Sequence, residues 1–126
     1  MYFEIKVRNN NHLEQSLVVS RETIGGIDCI TICFPQEILD YRSREVSVNK
    51  NDFINYLNVL NNTKDITTSR VYIPLEQDSF NTYCDQISLT LKIDQPGSDG
   101  ILLILSDTNV CYTANIHELA ELTNVL

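Results

Sequence analysis

The sequence predicts an α+β domain with a mainly antiparallel β-sheet of six to eight strands and two amphipathic helices, at about 50–61 and 115–124. Three observations carry this expectation. Apolar and polar residues alternate over several short stretches, the period of half-buried strands. The four glycines, Gly25, Gly26, Gly97 and Gly100, fall between pairs of such stretches, where hairpin turns need them. Two other stretches repeat apolar residues every three to four positions behind an Asn, the pattern of a capped surface helix. The 126 residues fit one globular domain, 1–126.

Taken in order, Phe3, Ile5 and Val7 share one face of the first strand, and Glu4, Lys6 and Arg8 share the other. Asn9 to His12 form a turn, and the chain returns from Leu13 to Ile24 with Leu13, Leu17 and Val19 on a common face. Gly25-Gly26 closes a hairpin, since both central positions can take positive φ. Ile27 to Phe34 is apolar on both faces, which places it in the middle of a covered sheet. Pro35 ends it, and Gln36 to Tyr41 suits one helical turn. Val46 and Val48 mark a short strand.

Asn49 or Asn51 then caps the first helix. Phe53, Leu57 and Leu60 form its apolar stripe, with Asn55, Asn58 and Asn62 opposite. So many Asn give weak intrinsic propensity, so packing has to hold this helix. The β-branched run Ile66 to Ile73 reads as a strand stopped by Pro74. Ile87, Leu89, Leu91 and Ile93 alternate with polar residues, turn through 94–100, and pair with Ile101 to Leu105. Val110 to Thr113 adds a short strand. Asn115 caps the last helix, with Glu118 at the capping-box position and Ile116, Leu119, Ala120 and Leu122 on its apolar side.

Composition excludes several function classes. The chain carries 17 Asp+Glu against 9 Lys+Arg, a formal net charge of −8. Nucleic acid and anionic membranes are poor partners for such a chain, because phosphate binding needs clustered Lys and Arg. Met1 to Arg8 alternates and carries Glu4, unlike a secretory signal, and the longest apolar run, Ile101 to Leu105, is too short to span a bilayer. The expectation is a cytoplasmic protein. Cys29 and Cys33 lie four apart in a strand, roughly 13 Å from one another, too far for a disulfide. With Cys84 and Cys111 they read as reduced thiols used as small apolar side chains.

No catalytic, cofactor or metal motif stands in the chain. His12 and His117 lack the closely spaced His or Cys neighbours of a metal site. Cys111 with His117 is the nearest nucleophile pair, but no oxyanion-hole loop accompanies it. Glu76 with Asp78 is the nearest carboxylate pair, in a chain small for a glycosidase. The glycine turns join strand to strand, so neither cradles phosphate. The expectation is a protein without enzymatic activity and without cofactors.

The distribution of charge is more specific. Residues 1–72 hold nine acids and eight bases, whereas 73–126 hold eight acids and the single base Lys92. A solvated acidic face explains this blandly. The functional reading is a negative surface that steers and holds a basic protein, with tyrosines adding contact area. Its candidate partner-binding residues are Glu76, Asp78, Tyr83, Asp85, Asp94, Asp99, Asp107 and Tyr112, and Tyr72 lies near them in sequence. Half-buried sheet packing is the alternative use of each Tyr.

A small, acidic, leaderless α+β chain with its acids concentrated between Glu76 and Glu121 resembles bacterial toxin-immunity proteins. These are the cognate inhibitors of contact-dependent and polymorphic toxins. The resemblance implies a tight one-to-one complex with a basic toxin, a nuclease domain before other kinds, whose active cleft it occludes. The chain is also similar in mass and acidity to secretion chaperones for effector proteins, although those begin with a helix. A small ligand-binding domain with a site assembled from distant residues is the third class.

Overall fold

In the computed structural model, the described residues are 2–35, 45–66, 70–78, 89–105 and 111–126. The strands are β1 (Tyr2–Arg8), β2 (Glu14–Ile24), β3 (Ile27–Cys33), β4 (Glu45–Asn49), β5 (Arg70–Ile73), β6 (Gln77–Asp78), β7 (Leu89–Ile93), β8 (Gly100–Leu105) and β9 (Cys111–Asn115). The helices are α1 (Lys50–Thr63) and α2 (Ile116–Val125). The expected α+β class, antiparallel pairing and two helices are all present. Eight strands run four residues or more, and β6 is a two-residue addition that the sequence pattern did not mark.

All the strands form one sheet, in the order β5-β7-β8-β9-β1-β2-β3-β4-β6, and every pairing is antiparallel. Its two outermost members, β5 and β6, are separated in sequence by only three residues. Four residue steps reach at most about 14 Å, so a sheet this wide must curl until its edges approach. The result is a nearly closed barrel.

Local chemistry sets the turns. Gly25 and Gly26 take φ of 57° and 82°, the double positive that a two-residue hairpin requires. At the first turn Asn9 Oδ1 accepts from the N–H groups of Asn11 and Leu13, and His12 adopts φ 62°. That turn holds Leu13 outside the strand and 61% exposed, so it does not join Leu17 and Val19 in the core. Ile66 also differs from expectation. It lies in a turn after α1, not in the strand, and is 82% exposed. The helical turn expected at Gln36 to Tyr41 lies outside the described residues.

A single hydrophobic cluster draws on both sheet halves and both helices. β3 sits between β2 and β4, and Cys29, Ile30, Thr31 and Ile32 are all buried, as expected of a strand covered on both faces. Its buried hydroxyls are satisfied. Thr31 donates to Glu22 Oε2 at 3.0 Å, which leaves Ser47 to donate to Thr31 at 2.7 Å. Phe53, Leu57 and Leu60 carry α1 onto β3, β4 and β5, each burial contributing about 1.5–3 kcal/mol. Ile116 and Leu119 do the same for α2 against β9 and β1, and the two helices touch.

Candidate functional site

Three chain segments converge at the C-terminal end of α1. The turn between β7 and β8 reaches it through Gly97, whose N–H donates to the Lys64 carbonyl at 2.7 Å. Gly97 has φ 79°, which only glycine adopts readily. The same turn receives α2: the Ile116 N–H donates to the Asp99 carbonyl at 2.8 Å. Asn115 then caps α2 by accepting from the N–H groups of His117 and Glu118, at 2.9 and 3.1 Å. Backbone contacts thus fix three elements before any charge is considered.

Side chains follow that geometry. The Asp99 carboxylate holds the Lys64 ammonium and lies 3.1 Å from His117 Nε2. Lys64 Nζ is 3.2 Å from the same imidazole nitrogen. The Lys64 side chain is only 15% exposed, whereas Asp99 and His117 are half exposed. Lys64, by hydrogen bond and charge, and His117 to a lesser degree hold the Asp99 carboxyl below its usual range. Asp65, Asp94, Glu118 and Glu121 lie on the three segments that meet here, and all four are exposed. Among the described residues none of those four enters an ion pair. The three segments together make an acidic cluster of elements, carrying one paired carboxylate and four exposed ones.

The structure gathers only part of the expected set. Asp94 and Asp99 lie on the turn at this junction and Glu118 and Glu121 on α2, and Asp94 also borders the cleft of Arg8, Leu102 and Cys111. Asp65 comes from the first half of the chain and has no signal in the charge count; only the docking of the turn on α1 brings it in. Glu76 stands elsewhere, exposed between β5 and β6, with its N–H on the Ser47 carbonyl at 2.8 Å. Asp78 lies on β6 opposite Val46. Tyr83, Asp85 and Asp107 lie outside the described residues.

Tyr112 departs from its expected role. It is fully buried, 5.5 Å from the Phe34 ring, with its hydroxyl donating to the Pro35 carbonyl at 3.5 Å. Its place on the inward face of β9 between Cys111 and Thr113 makes it a core residue, so it offers a partner nothing. Tyr72, by contrast, is 62% exposed.

Reactive groups are not assembled here. Cys111 and His117 belong to different surroundings: His117 faces Asp99 and Lys64, whereas Cys111 lines an open cleft of about 440 Å³ with Arg8, His12, Asp94 and Leu102. Burial, then the nearby Asp94 charge, pushes the Cys111 thiol up, away from the nucleophilic thiolate. Burial raises the Cys29 and Cys33 thiols as well, helped by Glu76 and Glu45 respectively. Among the described residues no three His, Cys, Asp or Glu side chains gather as a metal site, and no helix is long and apolar enough to cross a membrane. No protein-family model, curated protein or solved structure matches the chain.

Proposed function

We propose that this protein is an immunity-type inhibitor that binds a basic toxin, a nuclease domain in the first instance, and covers its active cleft with an acidic surface. The observation that supports this reading is that the three segments meeting at the Lys64–Asp99 pair carry four further exposed carboxylates, Asp65, Asp94, Glu118 and Glu121. Like charges carried on converging segments repel one another in the free protein, and a cationic partner relieves that cost. Glu76, Asp78, Asp85 and Asp107 extend the acidic set of the same chain half, and the complex would form one-to-one in the producer's cytoplasm. The chain itself performs no chemistry in this reading and needs no cofactor.

Two alternatives receive less support. A secretion chaperone holds a partly unfolded effector, and no observation among the described residues favours that use over the inhibitor reading. A ligand-binding domain needs a largely apolar pocket, but the 440 Å³ cleft has one aliphatic side chain, Leu102, among polar residues that include Arg8, His12 and Asp94.

The test is a pull-down with the tagged chain from its native host lysate, at low and then high salt. Wild type should retain one basic protein at one-to-one stoichiometry, and the triple reversal Asp94→Lys, Glu118→Lys and Glu121→Lys should lose it. Retention unchanged by the reversal would remove the acidic surface from the account. A secreted effector held by a dimeric bait would move the assignment to a chaperone, and an empty pull-down at low salt would end both.

A further inference from the structure

The register of the other half of the sheet exposes a patch of opposite sign. Strand pairing aligns Arg70, Lys92, Leu102, Thr113 and Arg8 in one row across β5, β7, β8, β9 and β1. A neighbouring row holds Tyr72, Thr90, Ile104 and Cys111. Both rows lie on the face away from the core, since the alternate residues Leu89, Leu91, Ile101, Leu103 and Tyr112 are buried; within the rows Thr90 is buried as well, at 8% exposed.

At the β5 end of this face Arg70 stands directly opposite Lys92. Like charges so placed oppose strand pairing. Among the described residues neither cation has an ion-pair partner, in a chain with nearly twice as many acids as bases. Beside them Tyr72 is mostly exposed, and Leu102 and Ile104 are only half-buried. Two cations without ion-pair partners among the described residues, next to an exposed tyrosine and two half-buried aliphatics, make an amphipathic surface.

From this juxtaposition we infer that Arg70, Lys92, Tyr72, Leu102 and Ile104 dock an extended acidic protein segment. A carboxylate between the two cations relieves their repulsion and gains charge-assisted hydrogen bonds, with Arg70 able to hold it by two. The aliphatic pair accepts an apolar side chain two or three positions along, and Tyr72 adds contact area at low entropic cost. A small inorganic anion would leave the apolar half of the patch unused. A nucleic acid would carry its own charge against a net of −8. Leu102 shares a cleft with Asp94, but the two cations attract partners of the opposite sign to those the acids attract, so the proposal stands whether or not the inhibitor reading does.

The probe is a fluorescently labelled peptide, Gly-Asp-Ser-Leu-Ile-Ser-Asp-Gly, compared with its Asn-for-Asp counterpart by anisotropy and by amide chemical shifts. The acidic peptide should move the signals of Tyr72, Lys92, Leu102 and Ile104. Affinity should fall at least about fivefold for the Asn peptide and for the Arg70→Gln/Lys92→Gln protein. Lys92→Glu alone should abolish binding while raising Tm by about 1–3 °C, because Arg70 then faces an opposite charge. Lost binding with gained stability separates a lost contact from a damaged fold. Equal binding of the two peptides, shifts elsewhere, undiminished binding to the Lys92→Glu protein, or displacement by inorganic phosphate or a single-stranded oligonucleotide would each overturn the proposal.

Discussion

Asp99 links local turn chemistry to the acidic cluster. Its carbonyl anchors α2 and its carboxylate holds Lys64 and His117, so one residue both positions the helix and moderates the charge around it. Because Lys64 chiefly depresses its carboxyl in the fold, the stabilisation is present above the ordinary carboxyl range and disappears as pH falls through the lowered value. Asp28, held down by its bond to Arg21, follows the same rule. Chemical denaturation across pH should therefore show Asp99→Asn less stable than wild type at about pH 7, with the gap closing towards about pH 2. A gap independent of pH would mean the carboxylate charge is not what matters. Tyr112 shows the opposite situation, where neighbouring acids in sequence say nothing about a side chain that β9 turns inward.

Among the elements, the two sheet halves are joined unevenly. β1 pairs with β2 at seven positions but with β9 at one, Arg8 opposite Thr113. The Asn10 side chain extends the seam by accepting from the Cys111 N–H at 2.8 Å. A surface cleft of about 310 Å³ opens beside it between Lys6, Val7 and Glu14 and the end of β9. α2 packs across both strands, so the helix supplies closure that backbone pairing does not. Hydrogen exchange should find the Cys111 amide less protected than the β1–β2 ladder, and Asn10→Ala should accelerate it further with little effect on β2–β3. Equal protection on both sides of β1 would contradict this account.

For the whole molecule, charge by sequence block and charge by surface differ. The last 54 residues carry nearly all of the net −8, yet folding adds Asp65 to the cluster and leaves Arg70 facing Lys92 on an outer face. Screening the like-charge repulsion should raise Tm as ionic strength goes from about 0.01 to about 0.15 M, where the Debye length drops from about 30 to about 8 Å. A flat or falling Tm would show that the acids lie too far apart to strain the fold, which would also weaken the case for a cationic partner.

Local physics was written in the sequence and survives in the fold. Gly25-Gly26, the Asn49 and Asn115 caps, the Phe53–Leu57–Leu60 stripe and the doubly apolar β3 each depend on neighbours a few residues away. A two-residue strand such as β6 has too short a pattern to read, and Leu13 and Ile66 look like strand residues until a turn claims them. Four of the five junction carboxylates were legible as a count, Asp65 being the exception, but their arrangement was not. Which carboxylates meet, whether Tyr112 faces water, and that two cations oppose each other depend on long-range pairing. Sequence fixes a residue's alternation but not the identity of the strand beside it, and only closure of the sheet decides that.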